Sequence, residues 1–238
     1  MLFRSEQLVR EAGKRGLSGS VVRPGYILGD SETGVCNIDD FLVRMLKGCI
    51  QLSARPHIIN TVNAVPVNHV ARVVVAAAFN PLPNGVHVVH VTAHPRLRMS
   101  EYLSILEYYG YKTPEVSYAE WKSELEKFVS AGTLEKDLEQ HALMPLYHFC
   151  MDDLPATTRA PELDDRNAVA VLRADADRWT GVDEGVGYGI GREDIGRFLR
   201  YLALIKFIGE PSERGRPLPE IGVDAAQIGE IGGRGGAA

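Results

Sequence analysis

Tyrosine and lysine are spaced for proton transfer at two places in this sequence. Tyr108 precedes Lys112, and Tyr118 precedes Lys122. Four residues apart on a helix, a phenol and an ammonium share one face, where the cation lowers the pKa of the phenol. However, Gly110 ends the helix under the first pair, and the second pair begins a surface helix. We therefore predict structural roles for both pairs.

Other chemistry-bearing stretches lack the partners that they need. The segment GVGYGIG (185–191) does not have the GxGxxG spacing of a phosphate-binding loop and predicts a turn. The carboxylates of 152–165 have no histidine or asparagine at metal-binding spacing, and the sequence contains no GxSxG nucleophile motif. Cys36, Cys49 and Cys150 form no CxxC pair. This spacing argues against a zinc knuckle or a disulfide framework and indicates a reducing, cytoplasmic compartment.

The segment VVRPGYILG (21–29) has a stronger chemical rationale. Its apolar run ends at Pro24, which fixes φ and has no N–H, and at Gly25, which lets another group approach the backbone. Tyr26 and Ile27 follow and would form an apolar wall. Because open α/β sheets bind ligands beyond the carboxyl ends of their strands, these four residues predict a site for a flat ligand ring.

Regular elements surround this segment. Hydrophobic periodicity and turn residues predict helices at 1–16, 37–52 and 68–79 and strands at 18–24 and 86–92. Asn37 is the predicted N-cap of the second helix. The third helix is apolar nearly all round, which predicts that it is buried, as is the strand before Gly25. This order favours an α/β fold with a parallel sheet.

The character of the sequence changes near residue 96. A cluster of amphipathic helices follows, one of them predicted at 134–143, then a loop-rich region at 151–187 and a last helix at 192–208. The predicted parts are half of a sheet domain at 1–95, a mostly helical substrate or lid subdomain at 96–208, and an extended or disordered tail at 209–238.

The charge of the chain limits its partners. The formal net charge is −5, and lysine and arginine form no run, which argues against nucleic acid and anionic lipid as partners. No stretch reaches the roughly 18 to 20 apolar residues that a membrane-spanning helix needs. We therefore predict no nucleic-acid and no membrane partner.

Long stretches of the sequence resemble a known family. They are LVREAGKRGLSGSVVRPGYILGDSETGVCNIDDFLVRMLKGC, VPVNHVARVVVAA, MPLYHFCMDDLPATTRAPELDDRNA and the tail ERGRPLPE. They are similar to the thioester reductases, which are extended short-chain dehydrogenases with a male-sterility-type NAD-binding domain. The match is closer still to the aminoadipate-reducing branch of that family, and it covers essentially the whole chain.

The resemblance implies a fold, a reaction and partners. The family has a Rossmann-type sheet that carries NADPH and a smaller, mostly helical C-terminal substrate subdomain. It reduces an acyl thioester, held on the phosphopantetheine arm of a carrier domain, to an aldehyde. In the matching branch, the substrate is an aminoadipyl thioester and the product is the semialdehyde of lysine biosynthesis. The expected partners are the carrier and adenylation domains of the full-length enzyme.

The resemblance also implies site residues. The segment that matches Pro24, Gly25, Tyr26 and Ile27 lies beside the nicotinamide in the family, so these residues are expected to bind the cofactor. The segment that matches Thr33, Gly34, Asn37 and Asp40 lies near the substrate entrance, so these four are expected to bind substrate.

The sequence departs from the family at its start. In the family, a Gly-rich strand–turn–helix and a Tyr-x-x-x-Lys helix precede the strand described above. Aligning that helix on Glu6 places Leu2 at the lysine and Phe3 at a tryptophan. Leu2 cannot hold a ribose or lower the pKa of a phenol. We therefore expect a C-terminal reductase fragment that lacks the N-terminal nucleotide-binding strands and catalytic residues and is inactive alone.

Two other functions remain open at this point. The chain would be a non-catalytic module that docks a carrier domain or complements a separate N-terminal half, with 96–150 as its docking surface. Alternatively, it would be an extended dehydrogenase that acts on nucleotide sugars, since an Arg-Pro-Gly strand end suits that branch too. The match beyond residue 100 argues against the second alternative.

Overall fold

The computed structural model describes residues 2–131, 141–154, 161–212 and 214–223. The chain divides into two compact units. The first unit comprises Met1–Ile27, Asn63–Arg96 and Pro161–Ile190. The second unit comprises Leu28–Val62, Leu97–Ala160 and Gly191–Ala238.

The first unit contains helices on a pair of parallel strands. Its elements are α1 (Leu2–Lys14), β1 (Gly19–Pro24), β5 (Ala64–Pro66), α3 (Val67–Phe79), β6 (Val86–Val91) and α6 (Arg166–Asp175). A short strand, β2 (Tyr26–Leu28), pairs with β5. These elements confirm the two strands and the first and third helices that the periodicity predicts.

The strands β1 and β6 run parallel, as predicted. Gly19 pairs with Val86 and Pro24 with Val91, so the two strands end side by side. The strand β1 is half-buried rather than buried, because its other residues are partly exposed and Arg23 is exposed. Val22 and Val89 lie opposite one another in this register, and both belong to or pack against the core between the strands and the helices.

The core of the first unit lies between the strand pair and the helices α3 and α6. Its buried side chains are Val65, Val70, Val73, Ala76, Ala77, Val89, Val91, Ala93, Ala168, Val171 and Leu172. The prediction that α3 is buried holds for one face alone, because Val67, Val74, Val75 and Phe79 on it are exposed. Only one face of an apolar helix can pack on a sheet, and composition alone does not tell which face does.

The helix α6 corrects a second prediction. It lies within 151–187, which the sequence predicts to be loop-rich. Val171 and Leu172 are buried against the core, and the amide of Asn167 donates to the Val88 carbonyl oxygen of β6 at 2.7 Å. The helix has only ten residues. The acidic and glycine-rich sequence on either side of it is typical of a loop, so its short apolar periodicity is not recognised.

The second unit is mostly helical. Its elements are α2 (Phe41–Leu52), β3 (Arg55–Pro56), β4 (Thr61–Val62), β7 (Leu97–Arg98), α4 (Met99–Tyr108), β8 (Glu115–Val116), α5 (Tyr118–Ala131) and α7 (Arg192–Leu204). The strand β3 pairs with β8 in parallel, and β4 pairs with β7 antiparallel. A π-helical turn at Phe149–Asp153 lies in the same unit.

The helix α2 begins later than the sequence predicts. Asp40, and not Asn37, is its N-cap, because the Asp40 carboxylate accepts the Leu42 N–H at 2.8 Å. The Asn37 side chain instead accepts the Asp39 N–H at 3.0 Å and closes the turn before the helix.

The remaining expectations concern membrane-spanning helices, metal sites, the cysteines and two segments of the C-terminal half. No helix in the described ranges is long and apolar enough to cross a membrane, and the described residues include no metal-binding group of His, Cys, Asp and Glu. The three cysteines are free and buried. Most of the helix predicted at 134–143 and most of the tail from 213 onward lie outside the described residues.

Candidate functional site

The carboxyl ends of β1 and β6 form the edge where the sequence predicts a ligand. The Gly25 N–H donates to the Val91 carbonyl oxygen at 3.2 Å, so the pairing continues one residue past Pro24. Tyr26 and Ile27 follow, with 43% and 41% of their surface exposed. The structure thus brings the four predicted cofactor residues together at one edge, with two apolar side chains accessible, and their contact with a cofactor remains a prediction.

Asn63 joins the two strand ends. Its carbonyl oxygen accepts the Tyr26 N–H at 2.8 Å, and its side-chain oxygen accepts the Ala93 N–H at 2.7 Å. A Cβ added at Gly25 would lie 2.3 Å from the Asn63 carbonyl oxygen. The glycine therefore makes room for this chain's own backbone. The sequence suggested that a glycine is needed here so that a ligand ring can approach. On the side where a Cβ would point, the neighbour is Asn63.

Replacing Gly25 with alanine is expected to destabilise the first unit by about 1 to 3 kcal/mol, the usual cost of overpacking. The nearest obstacle is a backbone atom, which cannot rotate away. Gly19→Ala is the matched control, because Gly19 lies at the other end of β1 and its Cβ would meet no atom within 4 Å. Urea denaturation of both variants tests this. Equal stability of the two would contradict the packing argument.

A polar cluster that the sequence did not reveal lies at the same edge. Thr92 directly follows β6, and its hydroxyl donates to Asp165 Oδ2 at 2.7 Å. His94 Nε2 bonds the same oxygen and lies 3.0 Å from the Thr92 hydroxyl. These donors lower the pKa of Asp165, against the opposing effect of its partial burial. His94 and Asp165 are 71 residues apart, so no local spacing could have indicated the pair.

The predicted substrate residues Thr33 and Gly34 form a tight turn around Asp30. The Asp30 carboxylate accepts the backbone N–H of Thr33 at 2.8 Å and its hydroxyl at 3.0 Å. Gly34 adopts a φ of +72°, and a Cβ there would lie 2.3 Å from the Arg197 carbonyl oxygen. Both residues thus have a structural role, and their contact with substrate remains a prediction.

The other predicted substrate residues, Asn37 and Asp40, lead into α2. The Asp40 N–H donates to the Asn37 carbonyl oxygen at 3.2 Å. Burial raises the pKa of Asp40, while hydrogen bonds from the backbone of Leu42 and Val43 lower it. The structure brings these two residues together in the second unit, and their contact with substrate remains a prediction as well.

The pair Tyr118 and Lys122 fastens one segment to another, as predicted for a structural role. The Tyr118 hydroxyl donates to the Cys150 carbonyl oxygen, and Lys122 Nζ donates to the Met151 carbonyl oxygen at 3.0 Å. Burial, followed by the nearby Cys150 and Asp152, raises the pKa of Tyr118 to about 12. A phenol with this pKa is a poor proton donor at neutral pH.

A surface cavity of about 480 Å³ lies beside α1 and the start of β6. Its charged side chains are paired with one another. Glu6 binds both Arg10 and Arg23, and Glu11 binds Lys14 at 2.7 Å. Because these charges neutralise one another on an exposed surface, the cavity offers no concentrated charge to a ligand.

Comparison with known proteins finds similar sequences. The family model for male sterility protein, an NAD-binding family, matches residues 3–74. The L-2-aminoadipate reductase large subunit of Penicillium chrysogenum is 55% identical over 240 residues, which is 97% of this chain and 17% of that protein. The L-2-aminoadipate reductases of Schizosaccharomyces pombe and Saccharomyces cerevisiae are 51% and 46% identical, each over 98% of this chain and 16% of the relative.

Solved structures agree with the fold prediction. The terminal R domain from the myxalamid PKS-NRPS pathway matches with a TM-score of 0.71 and 26% identity, over 87% of this chain and 50% of that chain. A thiolation-reductase di-domain from an archaeal non-ribosomal peptide synthetase matches with a TM-score of 0.62 and 19% identity, over 85% and 39% of the two chains. The predicted α/β fold of the reductase domains is thus confirmed.

Proposed function

Because this chain is a homologue of a segment of the fungal L-2-aminoadipate reductases, we propose that it supplies part of an NADPH-dependent thioester reductase. The proposed reaction converts a carrier-bound aminoadipyl thioester to the semialdehyde. The observation that carries this proposal is the 55% identity over 97% of the chain. The chain spans 17% of that relative, so the activity, the substrate and the partners of the whole protein are proposals.

The exposed strand end supports a place for the nicotinamide. Tyr26 and Ile27 present apolar surface directly beyond β1, and a flat ring needs such a surface on one face. Pro24 and Gly25 hold that surface at the strand end through the bond to Val91. NADPH, when bound, supplies the hydride. The proposed role of Pro24, Gly25, Tyr26 and Ile27 is to position the ring and exclude water from one side.

We propose that the turn before α2 binds the substrate. Thr33, Gly34, Asn37 and Asp40 are proposed to line the path of the phosphopantetheine-linked thioester. Their local hydrogen bonds hold this turn in one conformation, which lowers the entropic cost of binding a flexible arm. The proposed partners are carrier and adenylation domains, and the proposed compartment is the cytoplasm. Two relatives that are 32% identical over 60% of this chain are nonribosomal peptide synthetases.

A chimera tests the proposed function. In it, this chain replaces the matching segment of the Schizosaccharomyces pombe relative, which is 51% identical. We expect the chimera to consume NADPH with an aminoadipyl thioester and to release the semialdehyde. The unmodified relative is the positive control. A folded chimera whose carrier is loaded with substrate and that does not reduce it would contradict the proposal.

The isolated 238-residue chain is expected to be inactive. The pair Tyr118 and Lys122 does not supply the proton donor of the reaction, because the pKa of Tyr118 is raised. NADPH consumption with an acyl-pantetheine thioester measures this directly. Turnover by the isolated chain above the rate without protein would show that it carries a complete site.

A further inference from the structure

One residue of α7 contacts the turn Asp30–Gly34 on both sides of Thr33. The Arg197 guanidinium donates through Nη1 to the Ser31 carbonyl oxygen at 3.2 Å. On the other side, a Cβ at Gly34 would lie 2.3 Å from the Arg197 carbonyl oxygen, so the two backbones are in close contact. Ser31 and Gly34 are both buried. The side chain and the backbone of Arg197 thus hold the two ends of the turn.

The hydrogen bonds inside this turn set its shape but not its place. The Asp30 carboxylate accepts the N–H groups of Glu32 at 2.9 Å and of Thr33 at 2.8 Å. The Gly34 N–H donates to the Asp30 carbonyl oxygen at 2.9 Å. Because these bonds all lie within the turn, a movement of the whole turn would leave them intact. The position of the turn in the second unit therefore depends on its contacts with other elements.

The helix α7 is a firm support for such a contact. Its residues Ile195, Phe198 and Leu199 are fully buried. The guanidinium is held in turn by its own helix, because Nη2 bonds Glu193 at 3.2 Å and Nη1 lies 3.7 Å from an Asp194 oxygen. A planar guanidinium has five N–H donors in fixed directions, so it can bind a carboxylate and a carbonyl at the same time. The donor is thus aimed at Ser31 before any ligand arrives.

The C-terminal tail contacts the middle of the same turn. The Gly222 N–H donates to the Glu32 carbonyl oxygen at 3.3 Å. The tail also packs on α7, since a Cβ at Gly196 would lie 2.7 Å from Pro219 Cδ. The tail therefore supports the exposed middle of the turn, and Arg197 supports its two buried ends.

We propose that Arg197 is a positioning residue that fixes this turn in place for the thioester substrate. The inference rests on the proposed function, in which Thr33 and Gly34 line the path of the phosphopantetheine-linked thioester. Thr33 is half-buried between the two residues that Arg197 contacts, so a displaced turn would carry it along. A turn already fixed in place lowers the cost of ordering when a flexible arm binds.

Two methionine variants form the matched test. Arg197→Met removes the guanidinium and keeps an apolar stem and a good helix former, so the fold should be retained. Arg192→Met is the control, because it removes the same charge from the same helix. The Arg192 side chain is exposed and lies 5.2 Å from the ring of Tyr108, away from the turn.

Hydrogen exchange of the 238-residue chain measures the positioning directly. In Arg197→Met, we expect the amides of residues 32–34 to exchange about tenfold faster, since the loss of one hydrogen bond from a charged donor lets the turn open more often. The amides within α7 should keep their rates, as should the turn in Arg192→Met. Equal rates for the turn in the two variants would overturn the proposal. An increase shared by the amides of α7 would also overturn it, because the substitution would then loosen the helix.

The chimera separates this inference from the proposed function. With Arg197→Met, we expect KM for the aminoadipyl thioester to rise about tenfold. KM for NADPH should stay unchanged, because the proposed nicotinamide residues belong to the first unit. An active chimera in which the thioester KM does not change, or in which both KM values rise equally, would overturn this inference alone. A chimera that is inactive with Arg197 present would contradict the proposed function, and the exchange rates would then decide whether Arg197 positions the turn.

Discussion

Replacing Asp175 with alanine is expected to lower the free energy of unfolding by about 3 to 5 kcal/mol, because it leaves buried partners without their counter-charge. The Asp175 side chain is 4% exposed and pairs with Arg72 of α3. Its other oxygen accepts the Asn80 amide at 2.9 Å. Arg72 also reaches Glu184 at 2.6 Å. The carboxylate thus fastens α6 to the end of α3.

The control for this prediction lies two residues away. Asp177 is exposed, so Asp177→Ala should change stability by less than about 0.5 kcal/mol. Asp175→Asn, which keeps the shape but not the charge, should fall between the two variants. Urea denaturation measures all three. Similar midpoints for Asp175→Ala and Asp177→Ala would show that the network contributes nothing.

Acidification is expected to destabilise the second unit through His141. The side chain is 1% exposed, its Nδ1 accepts the Leu143 N–H at 3.2 Å, and its ring lies 4.6 Å from that of Phe128. Among the described residues, Nε2 has no hydrogen-bond partner. Burial, with a smaller contribution from the charge of Lys47, lowers the pKa of His141 to about 4.

The sign of the effect follows from where the proton binds. The unfolded chain protonates histidine near pH 6.5, whereas the folded chain keeps His141 neutral down to a pH of about 4. Between these values the unfolded state binds the extra proton, so stability falls as the pH falls. The full loss is on the order of 3 kcal/mol, since each pKa unit corresponds to about 1.4 kcal/mol.

Comparison of one variant with the unmodified chain isolates this contribution. His141→Asn keeps an acceptor for the Leu143 N–H and removes the titration. We expect its stability to fall less than that of the unmodified chain between about pH 7 and pH 5. The unmodified chain, measured over the same pH range, is the reference. Parallel curves for the unmodified chain and His141→Asn would contradict the assignment.

Much of the fold follows from local sequence signals. The paired strands β1 and β6 could be predicted because runs of β-branched residues are bounded by glycine and proline. The start of α2 could not, since Asn37 and Asp40 are both good N-caps and the choice depends on which side chain closes the preceding turn.

Long-range pairs set the limit of prediction at the candidate site. The Pro24–Ile27 segment could be found because its chemistry is contiguous. The contacts that shape its surroundings come from Asn63, and those of the neighbouring strand end come from Asp165. Neither residue has a distinctive neighbourhood in the sequence. Such residues are found only once the fold brings the segments together.

The contact between Gly25 and Asn63 also limits how this surface can evolve. The atom nearest to a Cβ at Gly25 is the Asn63 carbonyl oxygen, which every amino acid possesses. No replacement of the Asn63 side chain can compensate for a larger residue at position 25. A lineage that diversifies its substrates must therefore do so through neighbouring positions and leave this glycine as an invariant.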